Sequence, residues 1–166
     1  MSVGGGEEKT PRLRRLFFLF LSGIVLAVDQ LSKSLIQFLL ESGESLPMIP
    51  SVFHLTLVLN QGVAFGLFPN SRTVLLLIIT ASILILTVLG FRAAPGRLKT
   101  QWAIGLILGG ALGNWMDRIR LGAVVDFLDF RIWPVFNLAD TAISIGVGLF
   151  LLEILFDKKK APSDAS

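Results

Sequence analysis

The sequence predicts an all-α integral membrane protein: four transmembrane helices, with a small external β-hairpin platform between helices 1 and 2. Three observations lead there. Apolar residues make up 53% of the 166 and the mean hydropathy is +0.74, too greasy for an ordinary soluble domain. Apolar runs starting near Leu16, Thr73, Gln101 and Leu138 have the character of membrane spans, which need to cross about 30 Å of hydrocarbon. Basic residues cluster between them in an alternating pattern: Arg12, Arg14 and Arg15 before the first run, Arg92, Arg97 and Lys99 between the second and third, and Lys158, Lys159 and Lys160 after the fourth. Such clusters mark the cytoplasmic side. Both termini are therefore expected in the cytoplasm, with an external platform at 41–72 and an external connection at 120–137. Arg72, Arg120 and Arg131 dissent, too few to reverse the orientation.

Residues 1–11, Gly-rich and charged, have nothing to bury and read as a disordered tail, as do residues 161–166; residues 12–160 read as one domain. The first span runs from Leu16 to Leu40, and its uncharged portion, Leu16 to Val28, would rise about 20 Å as helix. A basic start and an apolar core also describe a cleaved signal peptide, but the apolar character continues past Lys33, which favours a retained helix. Asp29 and Lys33 lie one turn apart and can pair on one face, either as an ion pair that snorkels to the interface or as part of a reaction centre.

From Glu41 to Arg72 the character changes. Phe53, Leu55, Leu57 and Leu59 alternate with His54 and Thr56, which predicts a short strand. Asn60-Gln61-Gly62 supplies a turn, and Val63 to Gly66 a return strand. A hairpin edge can hold an extended peptide, although a purely structural hairpin is the commoner use. His54 reads as a surface or packing residue.

Thr73 to Phe91 carries no charge and is the second span; Gln101 to Met116 begins the third. Gly105, Gly109 and Gly113 recur every four residues, a ridge of small residues for close helix approach. Asn114, Asp117 and Arg118 then form a polar knot within one turn. It reads as a buried network that fixes packing, with Arg118 neutralising its neighbour Asp117, or as part of the chemistry. Arg120 to Pro134 is too mixed for a span, so Asp126 falls on a connection or a surface-lying segment. Leu138 to Phe156 is the fourth span. Asn137 is a candidate N-cap and Asp140, three residues on, its capping-box partner, a role compatible with catalysis.

Asp126 and Asp140 stand out because each sits in an apolar frame, Val124-Val125-Asp126-Phe127 and Phe136-Asn137-Leu138-Ala139-Asp140. Two carboxylates brought close in a partly dry site cannot both ionise easily; they share a proton, one acting as base and the other as acid. That is aspartic-protease chemistry. Cysteine is absent, which removes disulfides, thiolate nucleophiles and lipidation sites, and one histidine leaves too few soft ligands for zinc, so no metal or cofactor is expected. A net charge of +3 held in short clusters suits anionic lipid headgroups rather than nucleic acid.

The motifs Gly109-Gly110-Ala111-Leu112-Gly113-Asn114, Asp117-Arg118, Val125-Asp126-Phe127 and Phe136-Asn137-Leu138-Ala139-Asp140 resemble those of the bacterial lipoprotein signal peptidases (signal peptidase II), which are intramembrane aspartic proteases. Asp29-Gln30-x-x-Lys33 and Asn60-x-Gly62-x-Ala64-Phe65 are also similar, with Leu59 and Val63 departing mildly where an aromatic and an alanine are frequent. The resemblance implies Asp126 and Asp140 as the catalytic pair, and Asp29, Lys33, Asn60, Gly62, Asn114, Asp117, Arg118, Asn137 and Ala139 as active-site support or substrate-binding residues. It implies a bacterial inner-membrane enzyme, expected to be a monomer, that removes the signal peptide of a diacylglyceryl-modified prolipoprotein just before the lipidated cysteine. Rival readings are a Ser/Lys peptidase built on Lys33 with Ser32 or Ser34, and a small carrier relaying ions through Asp29, Asp117, Asp126 and Asp140.

Overall fold

The computed structural model describes residues 16–62, 71–93 and 97–157. The elements are α1 (Phe17–Leu39), β1 (Ser45–Ile49), β2 (Phe53–Asn60), α2 (Ser71–Arg92), α3 (Leu98–Arg120), β3 (Val124–Asp129) and α4 (Leu138–Asp157). The return strand expected at Val63 to Gly66, both tails and the terminal basic clusters lie outside the described residues.

Among the described residues, three helical segments, Phe17–Leu39, Thr73–Arg92 and Leu138–Phe156, are long and apolar enough to cross a bilayer. Helix α3 is as long, at 23 residues or about 35 Å, but carries more polar residues and glycines. Its position explains this composition. It packs against each of the other three helices, so Gln101, Asn114, Asp117 and four of its glycines are buried in protein.

The glycine ridge faces α1. A methyl group on Gly109 would lie 2.6 Å from Val25 Cβ and 2.8 Å from the Ser22 carbonyl, and one on Gly113 would strike the Asp29 carboxylate. Removing side chains here brings the two backbones close enough for Ser22 Oγ to donate to the Gly105 carbonyl at 3.1 Å. Gly110 meets the Ala139 carbonyl, so α4 seats against the neighbouring face of α3.

The expected hairpin between helices 1 and 2 is present, made by β1 and β2, and the sheet, in the order β1-β2-β3 and all antiparallel, gains a third strand from the connection after α3. Local composition did not reveal β3 because its stability comes from its partners. Val125 and Phe127 are buried with Leu57 of β2 and Ile36 and Leu40 at the end of α1, each worth about 1.5–3 kcal/mol of burial. That cluster clamps the sheet onto the helix end. An irregularity between Leu55 and Val58 places Val58 opposite Asp126, and Asn60, two residues further, shares that face. Phe127 and Leu128 donate to the Phe136 carbonyl at 2.9 and 2.8 Å, which folds the loop back and brings Asn137 beside β3.

Candidate active site

Helices α1, α3 and α4 and strand β3 each deliver polar side chains to one junction. Lys33 Nζ is 2.8 Å from Asp29 Oδ2, 2.8 Å from Asp117 Oδ2, and donates to Asn114 Oδ1 at 3.0 Å. An ammonium has three donors, and these three acceptors match them. Asp29 Oδ1 in turn accepts from the Ala139 N–H at 3.0 Å, in the first turn of α4. Asp117 Oδ1 accepts from Gln30 Nε2 at 2.9 Å, and its Oδ2 accepts from the Val125 N–H at 3.2 Å. One buried charge network therefore joins α1 and α3 to the start of α4 and to β3.

Two features of this network depart from the sequence reading. Asp117 pairs with Lys33 across the helix interface, whereas the sequence had suggested neutralisation by the adjacent Arg118. Successive helical residues project about 100° apart, so the neighbour in sequence is not the neighbour in space. Arg118 Nη1 instead donates to the Asn114 carbonyl at 3.1 Å, and the charges of Asp140, Asp126 and Asp117 all act on it. Gln30 was not among the expected site residues, yet it bridges Asp29, Asp117 and the Gly113 carbonyl. Its position beside Asp29 within a span was the available signal.

The amides of Asn114 and Asn137 carry the network to the two aspartates. Asn114 Nδ2 donates to Asp140 Oδ1 at 2.7 Å, and Asn137 Nδ2 donates to Asp126 Oδ1 at 2.7 Å and to Asn114 Oδ1 at 3.1 Å. The expected capping box is present as well. The Asp140 N–H donates to Asn137 Oδ1 at 2.9 Å, and the Asn137 N–H donates to Asp140 Oδ2 at 3.3 Å. From the sheet, Asn60 Nδ2 donates to Asp126 Oδ2 at 2.8 Å. Asn60 Oδ1 accepts from the Gly62 N–H at 2.8 Å. Gly62 has φ +86°, where a side chain would be strained, so this residue pair sets the aim of the Asn60 amide.

Asp126 is buried, at 2% exposure, and Asp140 is half-buried. Burial, reinforced by the nearby charge of Asp140, pushes the Asp126 pKa up to about 6 against the amide hydrogen bonds from Asn60 and Asn137. The sign for stability follows. Between about pH 4, where an unfolded aspartate ionises, and about pH 6, the folded protein holds a proton that the unfolded chain has lost. This contribution is fully present below about pH 4 and lost as pH rises through about 6, so stability falls with rising pH in that window. Asp126→Asn should remove this pH dependence, about 3 kcal/mol across the window. Unfolding in detergent across these pH values tests it, and parallel profiles for wild type and variant would refute the assignment.

Elsewhere on the sheet, Thr56 Oγ1 donates to Asp129 Oδ2 at 2.8 Å and lowers the Asp129 pKa, helped by the backbone and guanidinium of Arg131. His54 pairs with Ser45 at 3.1 Å, away from the two aspartates. Ser32 Oγ donates to the Asp29 carbonyl of its own helix at 2.7 Å. With Lys33 already bound to three acceptors, that geometry removes the support for a Ser/Lys pair.

A family model described as signal peptidase (SPase) II matches residues 21–156. The lipoprotein signal peptidase of Pelotomaculum thermopropionicum is 46% identical over 88% of this chain and 96% of its own length. That of Moorella thermoacetica is 50% identical over 83% and 92%. A solved structure described as a bacterial membrane enzyme, obtained by the in meso method at 2.3 Å resolution, superposes with a TM-score of 0.79 at 31% identity, covering 90% of this chain and 93% of that one.

Proposed function

The chain belongs to the signal peptidase II family, proteases that cleave signal peptides from prolipoproteins, and on that premise we propose that Asp126 and Asp140 are its catalytic pair. The observation that carries this reading is Asn137, which touches both carboxylates at once: its side chain binds Asp126, and its N–H and side-chain oxygen hold Asp140. In a protease this arrangement has a direct use. Asp126, on β3, and Asp140, in the first turn of α4, act as one acid–base pair that shares a proton, one member ionised and the other protonated.

The ionised member takes a proton from water as the oxygen attacks the scissile carbonyl, and the protonated member gives its proton to the developing oxyanion. Collapse of the tetrahedral intermediate breaks the C–N bond: the proton taken from water passes to the leaving amine, and the hydroxyl proton returns to the carboxylate that gave it. No covalent intermediate forms. Asn60, Asn114 and Asn137 hold the carboxylates in place, while Asp29, Lys33 and Asp117 lock the helices that present them. Gly62 and Ala139 contribute backbone N–H groups to the same scaffold, and Arg118 supplies positive charge next to the pair.

We place α3 as a fourth span, because its polar residues are shielded by the other helices and it matches them in length. Arg92 and Lys99 lie at the opposite helix ends from the site, which supports cytoplasmic termini in the inner membrane and a reaction centre at the outer leaflet. Reporter fusions check this orientation: one after Lys160 should read cytoplasmic and one near Ser45 external. The reverse pattern at either position would rule out four spans.

At that depth a scissile bond must sit at the interface, and a cysteine carrying two acyl chains is held there far more firmly than one carrying a single chain. The substrate is therefore a diacylglyceryl-modified prolipoprotein, cut just before the lipidated cysteine. Purified protein in bilayers should cleave the modified precursor at least about 100-fold faster than one with an unmodified cysteine, the loss arising in positioning. Equal rates would overturn the lipoprotein assignment.

A further inference from the structure

We propose that Asp129 is a positioning residue for the reaction: it closes the turn that returns the chain to β3 and so sets Asn137 against Asp126, an inference that rests on the catalytic pair proposed above. Asp129 ends β3 and is buried, at 5% exposure. Its Oδ1 accepts from the Arg131 N–H at 2.9 Å, and its Oδ2 accepts from Arg131 Nη1 at 3.0 Å and from Thr56 Oγ1 at 2.8 Å. The first of these bonds, from a backbone N–H two residues on, closes an Asx turn. Arg131 has φ +64°, a left-handed conformation that costs a residue with a Cβ about 1–2 kcal/mol. One carboxylate holding both its N–H and its guanidinium offsets that strain.

The turn decides where the residues after it land. Phe136 returns antiparallel beside Leu128, its N–H donating to the Leu128 carbonyl at 3.1 Å and its carbonyl accepting from the Phe127 and Leu128 N–H groups. Asn137 follows directly. It is fully buried, with its amide on Asp126 Oδ1 and on the Val125 carbonyl. A slip of the returning segment by one residue along β3 would carry that amide about 3.3 Å, out of hydrogen-bond reach of the carboxylate. The other two strands brace the same turn. Three steps along β2, Leu55 to Val58, face two along β3, Leu128 to Asp126, and within this bulge Thr56 reaches Asp129 while Leu57 stays in the core. Thr56 gives its proton to Asp129, so Ser45 Oγ donates to Thr56 at 2.8 Å and accepts from His54 Nδ1 at 3.1 Å. A chain of hydrogen bonds drawn from β1 and β2 thus ends on Asp129.

The test measures kcat and KM of the full-length enzyme on a diacylglyceryl-modified precursor, each variant being assayed below its own unfolding temperature. Asp129→Ala should lower kcat on the order of 100-fold with KM little changed, the loss expected of an acid–base pair held out of place. Asp129→Asn keeps an Oδ1 acceptor and favours the same turn, so it should recover a large part of that loss. Should Asp129→Ala fold poorly, the turn is tested at Arg131. Arg131→Ala keeps the left-handed strain without the guanidinium, whereas Arg131→Gly loses the strain as well, so the glycine variant should have a kcat roughly fivefold higher than the alanine variant. An unchanged kcat in Asp129→Ala, whatever its unfolding temperature, leaves Asp129 a purely structural role and overturns the proposal, as does an equal kcat in the two Arg131 variants. A rise in KM at constant kcat also overturns it and assigns the turn to substrate contact. An active Asp126→Asn enzyme instead overturns the catalytic pair on which the proposal rests.

Discussion

Asp126→Asn and Asp140→Asn should each lower prolipoprotein cleavage on the order of 10³-fold or more while leaving the protein folded and inserted. An amide neither ionises nor supplies the shared proton, yet it has the shape of the carboxylate. The structural cost is similar for the two. Asp126 accepts from the amides of Asn60 and Asn137, one on each oxygen. An asparagine there turns its own N–H₂ toward a donor and loses one of those bonds, about 1 kcal/mol. Asp140 accepts from Asn114 Nδ2 and from the Asn137 N–H, so its asparagine variant faces the same choice. Thermal unfolding in detergent separates this modest loss from the chemical one. Ser32→Ala and Ser34→Ala should retain activity. An inactive serine variant beside an active aspartate variant would return the chemistry to a hydroxyl nucleophile.

The largest stability effect should come from Lys33→Met, roughly 3–5 kcal/mol, because it leaves two buried carboxylates facing one another without a cation. Lys33 is 2% exposed, and Asp29 and Asp117 are 1% and 3% exposed. Water cannot easily take over the lost interactions. Lys33→Arg should not restore the wild-type level, since a planar guanidinium does not converge on three acceptors around one nitrogen. The combination Lys33→Met, Asp29→Asn and Asp117→Asn removes the unpaired charges and should recover a large part of the loss. A Lys33→Met variant that unfolds like wild type, or a triple variant no better than the single, would show that the network is not what holds α1, α3 and α4 together.

The spans at Phe17–Leu39, Thr73–Arg92 and Leu138–Phe156 were legible in the sequence, because hydrocarbon thickness translates directly into a length of apolar residues. Features with a local period were equally legible. The glycine ridge follows from a four-residue repeat, and the Asn137 to Asp140 cap from a three-residue spacing, both of which the structure reproduces. Both aspartates could be singled out by their apolar frames alone.

Tertiary structure decided what those residues meet. Strand β3 exists because β2 and the end of α1 cover Val125 and Phe127, a contact between segments far apart in sequence that no local pattern encodes. The same distance hid the pairing of Lys33 with Asp117 and left Arg118 looking like the natural partner. Asn114 and Asn137 become bridges between the charge network and the aspartates only when α3 and α4 are in contact. A groove beside Asp140 likewise forms only when the loop after β3 folds back against α4. Composition and spacing therefore determined which side chains were available, while packing between distant elements determined their partners, since hydrogen bonds and ion pairs act over about 3 Å and depend on geometry that only the assembled fold provides.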